Sequence, residues 1–223
     1  MWRLYQFPLC PFSRKIRLLM GEKQIPYEMV REDPWAASET FYNLNPAGCT
    51  PVMVDEEREI TLCDSRAIGE YLEETVDRAP MINGTVANRA EIRRLVALFD
   101  EKFHADVTAP LMNERMRKRL VLRQSPDSGA LRHAMKMAHG HLDYMDWLID
   151  NRPWLAGSTM SMADLAAAAQ ISVADYLGGI DWKGHEQSRG WYSVVKSRPS
   201  FRPLLSERMD VIQPPAHYAQ VDL

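Results

Sequence analysis

The chain has 223 residues, 46% hydrophobic and 26% charged, with 11 glycines and a net charge of −3 at pH 7. That balance excludes a disordered or collagen-like chain and offers no global basic field for nucleic acid. No stretch approaches the ~18 uninterrupted apolar residues of a membrane span, and the basic start (Arg3, Arg14, Lys15, Arg17) lacks the apolar run of a signal peptide.

Arg3 to Phe7 alternates weakly before Pro8, which predicts a strand. Ser13 to Glu22 carries Ile16, Leu19 and Met20 at helical spacing. Tyr27 to Arg31 reads as a second strand, and Pro34 to Tyr42 as a short, poorly defined helix. Two short strands follow, Pro51 to Val54 and Glu59 to Leu62, joined by the polar turn Asp55 to Arg58. Ser65 to Thr75 is a helix with Ile68, Tyr71 and Leu72 on one face. The predicted order is β-α-β-α-β-β-α over residues 1–78, with a Pro/Asn/Gly-bearing linker at 79–84.

Residues 85–208 read as helices only. Ile92, Leu95, Val96, Phe99 and Phe103 form one apolar stripe, and Leu131, Met135, Ala138, Leu142, Met145 and Ile149 form another. Antiparallel packing buries both. Ser161-Met162-Ala163-Asp164 has capping-box spacing, with Met160 and Leu165 where a hydrophobic staple sits. The Ala-rich run from Leu165 to Gln170 allows close approach, which predicts a central helix. Two further helices are expected near His185 to Lys196 and Phe201 to Arg208. Residues 209–223 hold Pro214-Pro215 and read as an extended tail.

Three places carry chemistry. Cys10-Pro11-Phe12-Ser13 stands at a strand-to-helix junction, with Pro11 suited to the first helical position and Cys10 to the N-cap. Free N–H groups, the helix dipole and Arg14 nearby in sequence favour a thiolate there; a small buried cysteine ending a strand is the structural alternative. Ser13 cannot form a disulfide with Cys10, so a two-cysteine redox cycle at this pair is excluded. Thr50-Pro51 opens a strand, either as an edge device or as a cis-proline that offers a backbone edge to a peptide ligand. Asp64-Ser65 heads a helix, either as an ordinary N-cap or as a clamp where amide, hydroxyl and carboxylate converge. Cys10, Cys49 and Cys63 are an odd set without framework spacing, which fits a reducing cytosol and predicts a cytoplasmic protein. His133, His139 and His141 share a helix without the i, i+4 spacing of a zinc pair, and no metal-ligand cluster is expected. Arg115, Arg117, Lys118, Arg119 and Arg123 make a basic run, read as a solvated helix face or as a docking patch for an acidic partner.

These signals fall at matched places in the β-α-β-α-β-β-α order, and there the chain resembles the glutathione S-transferase superfamily. The matching segments are Cys10 to Arg14, Asn45 to Pro51, Asp64 to Leu72 and the Ser161 to Asp164 box. The resemblance implies an α/β plus all-α protein. A thioredoxin-like N-terminal domain of glutathione-binding type would be followed by a transferase-type helical bundle. It implies glutathione as co-substrate, a small electrophile or disulfide in a cleft between domains, and a homodimer. Cys10 is similar to the active-site thiol of the cysteine-type, omega-like members. By the same resemblance Ser13, Thr50, Pro51, Asp64 and Ser65 belong to the glutathione site: the Thr50 backbone pairs with the cysteinyl part, and Asp64 and Ser65 hold the γ-glutamyl end. Cys49 departs from the pattern, because members often have Lys or Gln there to hold the glycyl carboxylate.

The end of the chain, Ser197 to Leu205 followed by Pro214 to Leu223, and the run Pro11 to Lys15 are similar to FzlA-like bacterial division proteins. Those are transferase-fold proteins that bind the tubulin-like protein FtsZ. That resemblance implies a non-catalytic adaptor for FtsZ filaments. Its tail would offer Tyr218, Val221 and Leu223 as apolar anchors, with His217 and Asp222 as polar neighbours. The alternative for the tail is a segment that packs back on the bundle.

Overall fold

The computed structural model describes residues 1–221; Asp222 and Leu223, expected among the tail contacts, lie outside the described residues. The chain forms two compact units, Met1–Pro80 and Met81–Leu223. In the first, the elements are β1 (Trp2–Gln6), α1 (Pro11–Glu22), β2 (Tyr27–Arg31), α2 (Glu39–Leu44), β3 (Val52–Asp55), β4 (Ile60–Cys63) and α3 (Ser65–Thr75). They make a four-stranded sheet in the order β2-β1-β3-β4, with β1 and β2 parallel and the other pairs antiparallel. Leu4 stands opposite Met53, and both are fully buried. On the other face, Val52 and Val54 pack with Phe41 of α2.

Helix α2 begins later than its composition suggests. The Asp33 carboxylate accepts from the Trp35 amide at 2.9 Å, and Glu32 accepts from the Ser38 amide at 2.7 Å. Side-chain to backbone bonds of this kind turn residues 33–38 away from helix. Ser38 Oγ then accepts from Phe41 N at 3.2 Å and starts the helix. Helix α1 packs against α3. Its last turn is tied by Lys23, whose Nζ lies 2.9 Å from Glu73 and donates to the carbonyls of Val76 at 2.8 Å and Arg78 at 3.1 Å. One buried ammonium thus closes three acceptors where α3 ends.

The second unit is helical. Helix α4 (Val86–Ala97) runs on with wider, π-type winding through Leu98–Thr108, then α5 (Ala109–Met112), then a second π-wound stretch Asn113–Leu122. Pro110 lies between the two wide stretches, where it has no N–H to give and its ring crowds the carbonyl four residues back. Helices α6 (Ser128–Asp150), α7 (Met162–Tyr176), α8 (Glu186–Ser197) and α9 (Arg202–Ser206) follow. Every residue of α7 is buried, so it is the centre of this unit.

The head of α7 is held by Asp164, itself fully buried. Its Oδ2 accepts from Ser161 N at 2.9 Å and Ser161 Oγ at 3.0 Å; its Oδ1 accepts from Leu155 N and from Trp191 Nε1 of α8, both at 3.0 Å. Burial pushes this carboxyl up from its ordinary range, and the four donors pull against that.

The described part of the tail, residues 209–221, is folded rather than extended throughout. Met209 and Ile212 bridge, and Ala216–Ala219 form a 3-10 turn. Tyr218, expected as an exposed anchor, is wholly buried, and its hydroxyl donates to the Leu204 carbonyl at 3.3 Å. An aromatic ring gains too much by leaving water to stay on the surface when a seat is available.

Asp164→Ala removes four acceptor contacts and leaves buried donors unpaired, each costing about 1–3 kcal/mol. A loss of roughly 3 kcal/mol or more is expected in urea titration, with a smaller loss for Ser161→Ala. Equal, slight shifts for both would mean that Asp164 is not the hub.

Candidate functional site

The site starts where β1 ends. Phe7 accepts from the Cys10 amide at 2.9 Å, and Pro11 takes the first position of α1. Cys10 occupies the N-cap with extended backbone (φ −80°, ψ 115°), but its side chain does not cap the helix. The thiol turns inward and donates to the Thr50 carbonyl at 3.5 Å. The residue is 8% exposed. Arg14, expected to add charge beside the thiol, is fully buried and donates through Nε to the Pro8 carbonyl at 2.7 Å. Ser13 is also fully buried, and its hydroxyl has no hydrogen-bond partner.

Thr50 ends a loop held together by Asn45. Its Nδ2 donates to the Cys49 carbonyl at 2.8 Å, and its Oδ1 accepts from the Ala47 amide at 3.1 Å. Gly48 turns with φ +65°, and a Cβ there would stand 2.6 Å from the Tyr42 ring, so glycine is favoured at this turn. The Thr50–Pro51 bond is cis.

Asp64 heads α3 with φ +73°, a strained angle for a residue other than glycine. Its carboxylate accepts from Arg66 N at 2.6 Å and Ala67 N at 3.4 Å, which is the N-cap role. Ser65, the first residue of the helix, is 5% exposed. Val52 pairs with Cys63 in the β3–β4 ladder. Pro51 and Asp64 therefore flank the same rung. The structure thus brings Cys10 to Thr50 and sets Pro51 beside Asp64 and Ser65 through the strand register.

One feature had no signal in the sequence. All three thiols donate to carbonyls of one loop: Cys10 to Thr50, Cys49 to Ala47 at 3.3 Å, and Cys63 to Leu44 at 3.4 Å. Burial pushes the Cys63 thiol up, and Asp64 beside it adds to the effect.

In the helical unit, the Asp146 carboxylate accepts from Ser188 N at 2.7 Å and Ser188 Oγ at 2.6 Å, and pairs with His185 Nδ1 at 2.9 Å. His185 Nε2 meets His139 Nδ1 at 2.7 Å. This chain staples α6 to the head of α8. A groove of about 780 Å³ lies elsewhere in this unit, and Arg115, Arg119, Tyr176, Gly178, Pro214 and Pro215 are among its walls. The basic run and the tail, separate signals in the sequence, are thus two walls of one groove.

Residues 9–75 match the glutathione S-transferase N-terminal domain. FtsZ-localized protein A of Caulobacter vibrioides is 43% identical over 221 residues, covering 98% of this chain and 97% of that protein. The chain belongs to the glutathione S-transferase superfamily. Among solved structures, a glutathione S-transferase from Rhodospirillum rubrum F11 is 46% identical with a TM-score of 0.96, covering all of both chains. FzlA from C. crescentus is 42% identical with the same TM-score, covering 100% of this chain and 99% of that one. Members of the superfamily bind glutathione, and the fold is the expected one: a mixed four-stranded sheet with its helices, then a helical unit.

The burial pattern orders the thiols by access. Cys49 is exposed, Cys63 intermediate and Cys10 buried. A bulky aromatic disulfide reagent should label Cys49 first and Cys10 last. Single Cys→Ser variants assign the phases, and a Cys10 phase as fast as that of Cys49 would contradict the inward thiol.

Proposed function

We propose that this superfamily member is an adaptor that binds FtsZ filaments through its helical unit. The observation that carries the reading is the groove in which Arg115 and Arg119 face the tail residues Pro214 and Pro215. Two arginines against one carboxylate, Glu114, with proline walls, suit an acidic, extended segment of a partner. The full-length likeness to an FtsZ-localized protein supports the same reading. In this proposal the chain works in the cytoplasm as a homodimer. Residues 1–78 form the thioredoxin-like domain, 79–84 the linker, 85–208 the helical domain, and 209–223 a tail that forms part of the binding surface.

The second reading is a glutathione-dependent thiol transferase. The meeting of Cys10 with Thr50, next to cis-Pro51 and the Asp64-Ser65 helix head, favours it. Glutathione would pair with the Thr50 backbone, with its γ-glutamyl end at Asp64 and Ser65. Cys10 would attack a substrate disulfide that carries glutathione, expel the substrate thiol and hold glutathione as a mixed disulfide. A second glutathione would then attack that disulfide, free Cys10 and leave as glutathione disulfide. Alternatively, Cys10 would support attack of the glutathione thiolate on a small electrophile. Two features weigh against efficient turnover. The Cys10 proton is engaged with a carbonyl, and Cys49 offers no charge to the glycyl carboxylate.

One set of variants separates the readings. Deleting the tail would also remove Tyr218 from its seat, so surface substitutions are the cleaner probe. Arg115→Glu with Arg119→Glu should weaken co-sedimentation with FtsZ filaments about tenfold or more, and raised salt should weaken it in the unaltered protein. Cys10→Ala should leave co-sedimentation intact. Filament binding that ignores the charge reversal and the salt, together with disulfide reduction lost in Cys10→Ala, would sink the adaptor reading.

A further inference from the structure

Two ionisable side chains in the helical unit are wholly buried yet poorly bonded. Asp175 of α7 accepts on Oδ1 from His217 Nε2 at 2.9 Å and from Trp182 Nε1 at 3.4 Å, and leaves Oδ2 without a hydrogen-bond partner. Lys196 of α8 has no hydrogen-bond partner for its Nζ, which lies 5.3 Å from the Tyr192 ring centre and 6.0 Å from that of Tyr218. Burial pushes the Lys196 amine down and the Asp175 carboxyl up; the attraction between the two groups, and His217 beside Asp175, oppose those shifts without cancelling them. Both groups face the tail, since His217 and Tyr218 belong to it. An apolar pair at these positions would cost far less, because taking charges from water is recovered only with good mutual geometry and full hydrogen bonding.

Opposing that cost are a few fastenings. Tyr176 Oη donates to the Ile212 carbonyl at 2.8 Å and accepts from Met209 N at 2.9 Å. The Tyr218 ring is fully buried and stands edge-on to Tyr176 with centres 5.1 Å apart. When the tail lifts, Asp175 and Lys196 regain water, so the same contact that seats the tail also loads it.

We propose that the segment from Met209 to Val221 is a releasable strap, fastened by Tyr176 and Tyr218 and loaded by the dehydration of Asp175 and Lys196 beneath it. The strap opens by local unfolding while the helices stay packed. Its use rests on the adaptor reading, because Pro214 and Pro215 move with it and the groove exists in full only when it is closed. A partner that binds the closed groove shifts the strap toward its seat.

The test needs no filament, so its failure is distinct from failure of the adaptor reading. Hydrogen exchange is followed on the full-length protein for strap amides such as Tyr218 and Gln220, and for the amides of α7. In the unaltered protein the strap amides should exchange at least about tenfold faster than those of α7. Lys196→Met together with Asp175→Asn removes both buried charges, keeps an acceptor for His217 and should slow strap exchange about fivefold or more, whereas Tyr218→Ala should speed it. Strap exchange that occurs only with α7 overturns the proposal. So does a folded Lys196→Met/Asp175→Asn protein whose strap opens as fast as before, or a Tyr218→Ala strap that opens no faster.

Discussion

One carboxylate organises the helical unit. Asp164 sits at the head of a helix that is buried at every position, and it gathers the amide and hydroxyl of Ser161, the amide of Leu155 and the indole N–H of Trp191. A helix with no solvent-facing side must satisfy its first amides and its surroundings from within the protein. Asp164 does this for α7 and at the same time registers α8 and the loop before α7. The Ala-rich body of α7 then lets α4 and its π-wound continuation pack closely. Deeper features of this unit, including the groove floor at Tyr176 and Gly178, stand on that helix.

The sheet unit is arranged around a smaller constraint, the loop from Leu44 to Thr50. Asn45 folds it on itself, and three thiol groups donate to its carbonyls. The loop delivers Thr50 and cis-Pro51 to the end of β3, one rung from Asp64 and Ser65. Cys10 thus meets Thr50, and Pro51 stands beside Asp64, but the thiol is turned toward the protein's own backbone. The same residues serve structure well: Asp64 caps α3, Thr50 accepts from Cys10, and Arg14 braces the turn at Pro8. A site can keep its shape for these reasons whether or not it turns over substrate.

The tail joins the two halves of the functional argument. As a packed segment it sets Tyr218 edge-on to Tyr176 and near the Lys196 ammonium, and supplies His217 to a buried carboxylate. As a wall it sets two prolines opposite two arginines. Its dual standing follows from what lies beneath it: apolar rings favour closure, and an ammonium and a carboxylate without full hydrogen bonding oppose it.

Much of this was legible in the residues alone. The strand reading at Tyr27 to Arg31 has the bounds the structure shows, hydrophobic spacing marked α3 likewise, the Ser161/Asp164 spacing marked the head of α7, and Thr50-Pro51 and Asp64-Ser65 marked positions that the strand register then set side by side. These are local signals, written in periodicity, capping and proline chemistry, so they survive without knowledge of the partner surfaces. The burial of Arg14, Lys15, Arg17 and Lys23 along α1, the inward turn of Cys10, the burial of Ser13 and Tyr218, and the groove shared by the basic run and the tail belong to the tertiary structure. A charged or aromatic side chain reads the same in sequence whether it meets water or a carbonyl. Only the packing of segments far apart in the chain decides which it meets.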